Sequence, residues 1–292
     1  MARILVTGGS GFLGSYLCPL LRAAGHELLV TGLRAQDGVQ ALDLCQAQAS
    51  ADLLQQWQPE VIAHLAAQAF VGHGSEEDFY RINVLATDHL LKAASRLPSP
   101  PYVLVCSSAN VYGAAMQTCL DEDCEPHPIN HYAISKRAME YRLQAYAGQL
   151  AIAVVRPFNF TGPGQSPDFL VAKLVHHFAQ RSPSVRLGNL QVARDFSDVR
   201  DVAAACARLI AGGHRGLYNI ASGTATSLAE IWEMLVALCA HRPQIIVDPA
   251  LVRTDEIPSL CGDATRLQAQ TGWRPRYALA QTLADMLTAE RS

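Results

Sequence analysis

Three absences bound what this 292-residue chain can be. It has no excess of positive charge: 23 Lys and Arg stand against 26 Asp and Glu, a net charge of −3. A nucleic-acid footprint needs the opposite balance, so no nucleic-acid partner is expected. No apolar run reaches the roughly 20 residues that cross a bilayer, so no membrane partner is expected either. The start, MARILVTGG, runs straight into strand-like apolar sequence without the h-region and cleavage site of a secretory signal. Metal-type cysteine spacing is the third absence. Cys18, Cys45, Cys106, Cys119, Cys124, Cys206, Cys239 and Cys261 include no CxxC pair. Most lie in apolar segments and read as small core residues, so neither a metal site nor a disulfide framework is expected. A soluble, reduced, cytoplasmic globular protein is the expectation.

What is present is an alternation of strand-length apolar runs with helical patterns. Strands are expected at 4–7, 27–31, 39–42, 61–65, 102–106 and 152–156, with helices following 4–7 and at 50–57, 78–96 and 132–149. That βαβ rhythm predicts an α/β fold, a doubly wound parallel sheet of Rossmann type. After Pro157 the rhythm loosens into FNFTGPGQSPD, a helix at 169–180, the mixed piece RLGNLQVARDFSDVRDV, a strand at 217–221 and a helix at 227–240. There is no repeat, low-complexity tract or free linker. The expected division is a dinucleotide domain of 1–158 plus about 193–220, with a smaller, discontinuous substrate domain of 159–192 and 221–292.

TGGSGFLG places Gly8, Gly11 and Gly14, with Phe12 and Leu13 between them, after a strand and at the head of a helix. Glycines there let backbone approach a pyrophosphate whose charge sits at the helix N-terminus. The end of the second strand reads TGLRAQ, with Arg34 and no carboxylate before Asp37. An Asp there would accept from the ribose 2′-hydroxyl of NAD, whereas the planar fork of Arg34 suits a 2′-phosphate. NADP(H) is therefore favoured, with NAD(H) left open. In ALDL, Asp43 and Leu44 are placed near an adenine. HLAA ends the fourth strand, where Leu65, Ala66 and Ala67 must be slim beside a cofactor, and His64 reads as a packed strand residue.

HYAISK sets Tyr132 and Lys136 one helical turn apart, on one face. A free phenol has a pKa of about 10, and a fixed cation nearby is expected to favour its ionised form. Ser108, after the fifth strand, is placed to hold a substrate oxygen beside that phenol.

Taken together, these motifs resemble the extended short-chain dehydrogenase/reductases, a family of nucleotide-sugar epimerases, dehydratases and reductases. The resemblance runs from TGGSGFLG to TGWRP and implies catalysis by Ser108, Tyr132 and Lys136. It also implies a homodimer formed through the helices near 78–96 and 132–149. RPFNFTGPGQSPDF, LGNLQVARDFSDVRDV and VRTDEIPSLCGDATRLQAQTGWRP are similar to the branch that acts on GDP-deoxyhexoses. That similarity implies substrate contacts from Asn159, Lys173, Asn189, Arg194, Arg253 and Glu256. Dehydratases of the family usually carry a carboxylate just after the active-site Ser or Thr, whereas SSANVYG has Ala109 and Asn110. Two departures stand out: Thr254 where the branch commonly has Pro, and NHYAISK where the family often reads SPYGxSK. Three readings follow: an NADPH-dependent reductase of a C4 ketone, an epimerase or dehydratase of the same fold, and a non-catalytic dinucleotide sensor. A sensor would be expected to lose Tyr132 or Lys136, and both are present.

Overall fold

A computed structural model describes residues 1–69, 75–114, 117, 119–251 and 257–291. The chain opens with strand β1 (Arg3–Thr7), helix α1 (Phe12–Ala23), β2 (Glu27–Gly32) and β3 (Gln40–Ala41). Helix α2 (Ala47–Trp57) leads to β4 (Val61–His64). Helices α3 (Glu76–Tyr80) and α4 (Thr87–Ala94) then flank a π-helical turn at Arg81–Ala86. β5 (Tyr102–Cys106), α5 (His131–Gln144) and β6 (Ala151–Pro157) complete the first half.

In β1, Ile4 and Val6 join one buried cluster while Leu5 joins the other. Successive strand side chains point to opposite faces, and a sheet covered on both sides must be apolar at every position. Here α1 and a later helix at Val199–Gly212 close one face, and α2, α4 and α5 close the other.

The second half is β7 (Asn159–Thr161), α6 (Leu170–Ala179), β8 (Ser184–Leu187), β9 (Ala193–Asp198), α7 (Val199–Gly212) and β10 (Gly216–Ile220). β11 (Ala225–Ser227), α8 (Leu228–Cys239), β12 (Gln244–Val247), β13 (Ser259–Leu260), α9 (Thr265–Thr271) and α10 (Leu279–Arg291) follow. The seven-stranded sheet runs β10-β6-β5-β4-β1-β2-β3 and is parallel throughout. Strand order reverses between β1 and β4, so a crevice opens at their carboxyl ends, where such sheets bind ligands. β9 pairs with β7, β11 and β13 in a second sheet, and the chain re-enters the first layer system at α7. A third cluster gathers around α6, α8 and α10, where Phe178 meets Trp232 edge-on at 4.9 Å. Among the described residues no helix is long and apolar enough to cross a membrane.

Several elements differ from expectation. α7, inside and beyond the mixed piece, and α9 and α10 carry no advance signal in the reading above. In α7 the start is set by Asp198, whose carboxylate accepts from the Arg200 amide at 2.7 Å. The same residue closes β9, so strand and helix share one junction without a glycine or proline between them. FNFT, read as a punctuated loop, contains β7, because β9 supplies its hydrogen-bond partners. The helix expected over 78–96 is broken by the π-helical turn.

Under the sheet's carboxyl edge lies a buried ion pair. Arg156 of β6 donates to Glu140 of α5 through Nε at 2.9 Å and Nη2 at 2.7 Å. Burial pushes the Glu140 carboxyl up, but hydrogen bonds and charge from Arg156 outweigh it and hold the group below its ordinary 4.5. A depressed carboxyl gives stability that is complete above its unfolded value and lost as pH falls through the folded one. Acid should therefore loosen this junction below about pH 4.5. Breaking one partner of such a pair costs about 3–5 kcal/mol, whereas replacing both by apolar groups is often near neutral. Arg156→Met should thus lower the urea midpoint sharply and Glu140→Leu/Arg156→Met should recover most of it. Equal loss in the single and double variants would contradict this account.

Candidate active site

Between β1 and α1 the chain turns where only backbone fits. Gly8 has φ +67°, and a Cβ there would lie 2.6 Å from the Ala66 amide nitrogen. At Gly14 a Cβ would meet the Gly9 carbonyl oxygen at 2.5 Å. The Gly11 amide donates to the Gly8 carbonyl at 3.0 Å, and no side chain caps α1 at Gly11. The first-turn N–H groups of α1 are thus left for an outside acceptor. Leu13 is buried beneath the turn, while Phe12 stacks on Phe160 with centroids 5.9 Å apart. Leu65, Ala66 and Ala67 form the opposite wall, half-buried, with the Leu65 amide donating to the Thr7 carbonyl at 3.1 Å. A slot walled by glycine and alanine at a helix N-terminus fits a dinucleotide pyrophosphate.

Arg34 lies in the exposed turn after β2, without an ion-pair partner among the described residues. Asp43 and Leu44 are half-buried in the turn before α2, and Asp43 accepts from the Cys45 amide at 2.9 Å. His64 bridges Thr7 Oγ1 at 2.7 Å and Thr87 Oγ1 at 2.8 Å. Burial, with Lys136 nearby, pushes its pKa down to about 3, so it is a neutral packing residue as expected.

Ser108, Tyr132 and Lys136 converge at the end of β5. Ser108 is extended and accepts from the Asn110 amide at 3.2 Å, opening a single 3-10 turn over Ala109–Tyr112. Asn130 caps α5 by accepting from the Ala133 amide at 2.9 Å, which places Tyr132 in the first turn. The Ser108 hydroxyl lies beside the Tyr132 phenol, where it favours the ionised form. Lys136 Nζ donates to the Cys106 carbonyl at 2.8 Å. Burial raises Tyr132 to about 12, and the Ser108 hydroxyl opposes this only in part. The expected depression of the phenol by its neighbouring cation is therefore not found. The ammonium is engaged by a carbonyl, and desolvation of the phenolate dominates. Burial also lowers Lys136, against the pull of Cys106 and Glu140.

Beside this group opens a cavity of about 510 Å³ that Asn110 and Asn130 share. Asn159, Lys173, Asn189 and Arg194 all line it. Arg194 is oriented by donating through Nη1 to the Ala193 carbonyl at 2.8 Å and the Ile257 carbonyl at 2.7 Å. Arg253, Thr254 and Glu256 lie outside the described residues. Asp168 is the one carboxylate among the described lining residues, and its side chain accepts from Ser166 Oγ at 2.8 Å.

The family model for the NAD dependent epimerase/dehydratase family matches residues 4–221. The chain belongs to this family. It is 34% identical over 291 residues to GDP-6-deoxy-D-talose 4-dehydrogenase of Aggregatibacter actinomycetemcomitans, covering 99% of this chain and 98% of that one. It is 32% identical over 298 residues to GDP-6-deoxy-D-mannose reductase of Pseudomonas aeruginosa, covering 98% and 96%. A solved structure of RMD from Pseudomonas aeruginosa complexed with NADPH superimposes with a TM-score of 0.88 at 31% identity, covering 100% and 98%.

Within this epimerase/dehydratase-family site, two buried residues escaped the sequence reading. Asn83, in the π-helical turn, donates through Nδ2 to Ser135 Oγ at 3.0 Å and to the Gln68 carbonyl at 3.1 Å, and accepts from the Gln68 amide at 2.9 Å. It ties that turn to α5 one residue before Lys136. Glu140 is the other. Asn83, a polar residue within RINVLA, offered a signal, whereas Glu140, among the charged residues of KRAMEYR, offered none.

The slot at Gly8 makes a direct prediction. Gly8→Ala should weaken NADPH binding about 10-fold or more, since a Cβ 2.6 Å from the Ala66 amide nitrogen forces the slot wall to shift and about 1.4 kcal/mol of lost fit is a factor of ten. Gly25 has φ +82° with nothing near its absent Cβ, so Gly25→Ala carries the strain without the collision. Fluorescence titration of NADPH should find Gly25→Ala at wild-type affinity, and similar loss in both variants would remove the slot from the cofactor site.

Proposed function

We propose that this enzyme uses NADPH to reduce the C4 ketone of GDP-4-keto-6-deoxy-D-mannose, giving GDP-6-deoxy-D-mannose (GDP-D-rhamnose). Carrying this reading is the pairing of Ser108, Tyr132 and Lys136 with a turn that has Ala109 and Asn110 where a dehydratase needs an acid. Elimination of water from GDP-mannose requires a proton to leave C5 and another to reach the departing 6-hydroxyl. Neither Ala109 nor Asn110 exchanges protons near neutral pH. A ketone already lacking its 6-hydroxyl needs neither step.

Gly8, Gly11 and Gly14 with the head of α1 would hold the cofactor's pyrophosphate, and Lys136 its nicotinamide ribose. NADPH, when bound, supplies the hydride that goes to C4. Ser108 holds the ketone oxygen, and the Tyr132 phenol donates the proton that converts the nascent alkoxide to an alcohol. With its pKa at about 12, Tyr132 keeps that proton throughout the neutral range. Arg194 and Lys173 offer positive charge to the diphosphate, Arg194 with the planar fork suited to it. Asn159 and Asn189 offer amide groups to the sugar or nucleotide, and Arg253 and Glu256 are proposed contacts on resemblance alone. Working as a homodimer through α4 and α5 belongs to the same proposal, as does a cytoplasmic location.

A second reading has one observation behind it. The 34%-identical relative is named for GDP-6-deoxy-D-talose, the C4 epimer of GDP-6-deoxy-D-mannose. Delivery of hydride to the other face of the same ketone would give that product.

Two experiments test these readings. Arg34 is exposed and faces no acid at the end of β2, so NADPH should bind more tightly than NADH, and Arg34→Asp should erase or reverse the preference. A wild-type preference for NADH that the substitution leaves unchanged removes Arg34 from this role. NMR of the product should show stoichiometric NADPH oxidation and a reduced C4 when the keto sugar is supplied, its C4 configuration separating rhamnose from talose. With GDP-mannose and catalytic NADP, no 4-keto product should form; efficient dehydration would overturn the reading.

A further inference from the structure

We propose that Glu140 is the positioning residue of this site: its carboxylate locks the helix that bears Tyr132 and Lys136 to the strand end that bears Ser108. The inference rests on the reading of those three residues given above. Glu140 follows Lys136 by one helical turn and so shares its face of α5. Its side chain is only 6% exposed. It accepts from Ser107 Oγ at 2.6 Å, from Arg156 at 2.9 and 2.7 Å, and from Arg137 Nη1 at 3.0 Å. Ser107 is the neighbour of Ser108, and its amide is held by the Val155 carbonyl of β6 at 2.8 Å. The preceding residue, Cys106, offers the carbonyl to which Lys136 donates. The gap between α5 and β5 is therefore bridged by hydrogen bonds at Lys136–Cys106 and Glu140–Ser107, with Tyr132 set beside Ser108. Of these bridges, Glu140–Ser107 alone uses no group assigned to the chemistry.

Charge adds a second effect. Around Lys136 stand Cys106 from β5, Glu140 from α5 and His64 from β4, with Tyr132 on the same face of α5 one turn before. His64 is neutral, which leaves Glu140 as the ionised carboxylate that opposes the desolvation of Lys136. Remove that charge and the ammonium is lost at a lower pH.

The test uses three full-length variants: Ser107→Ala, Glu140→Gln and Glu140→Leu/Arg156→Met. Ser107→Ala cuts the tie but keeps the ion pair. It should lower kcat on the order of 10-fold at unchanged KM, because misplacement of a reacting group costs rate rather than binding. Its NADPH affinity should fall away at the same alkaline pH as wild type. Glu140→Gln should lower kcat similarly and move that alkaline limb to lower pH. The double variant removes both buried charges, so its melting temperature should return toward wild type while kcat stays low and its alkaline limb, with the Glu140 charge gone, stays displaced as in Glu140→Gln. A merely structural role predicts recovered kcat in the stable double variant, and that result overturns the proposal, as does wild-type kcat in Ser107→Ala. NADPH titration needs no sugar. Should wild type leave the keto sugar untouched, the substrate reading fails, while absence of the limb shift in Glu140→Gln would still overturn the coupling of Glu140 to Lys136.

Discussion

The pairing of Glu140 with Arg156 is the constraint around which the carboxyl end of the sheet is arranged. A carboxylate and a guanidinium buried together each need nearly all of their hydrogen-bonding capacity met nearby. Glu140 meets this with Ser107, Arg137 and Arg156. Arg156 keeps Nη1 unpartnered among the described residues but lies over the Tyr112 ring, 4.8 Å from its centroid. Tyr112 in turn donates to Asn219 Oδ1 at 2.7 Å, and the Asn219 amide donates to Glu122 at 2.7 Å. The network thus crosses from α5 through β6 to β10 and back to the loop after β5. Ser108, Tyr132 and Lys136 stand at its edge, so their spacing is inherited from a floor that cannot shift one member without stranding another.

A second junction joins the crevice to the cavity. Phe12, at the first position of α1, stacks on Phe160 of β7, and Tyr16 one turn later donates to the Pro163 carbonyl at 2.7 Å. Phe160 also lines the cavity. The helix head, with its uncapped first-turn N–H groups, is therefore in contact with the wall of the neighbouring pocket. Arg194 sits where β9 meets β11 and β13, so its backbone is paired on both sides while its guanidinium donates to the Ala193 and Ile257 carbonyls. Asp195, the next residue, is buried and accepts from the Ser222 and Gly223 amides at 2.8 and 2.9 Å, pinning the loop that leads into β11.

Local spacing carried much of this. Gly8, Gly11 and Gly14 declare a strand-to-helix turn by their positions alone, because few other residues tolerate that backbone. Tyr132 and Lys136 share a face through helical geometry, and the alternation of apolar runs declares a parallel sheet because such strands are buried on both sides. The first two of these inferences span fewer than about ten residues, and the third is assembled from runs that are each as short, the range over which backbone geometry correlates positions. Tertiary structure decided the rest. Glu140 reads in sequence like any solvated helix residue, and only the approach of Ser107 and Arg156, 33 and 16 residues away, makes it a buried hub. Asn83 finds Ser135 across 52 residues. The state of Tyr132 also went beyond the pattern, since desolvation depends on everything packed around the phenol and not on the lysine four residues on. β7 and α7 were hidden for a related reason: a three-residue strand exists only because β9 completes its hydrogen bonds, and α7 begins where Asp198 turns from strand to cap. Short-range periodicity is written in the chain, whereas burial and long-range hydrogen bonding exist only once the chain has closed upon itself.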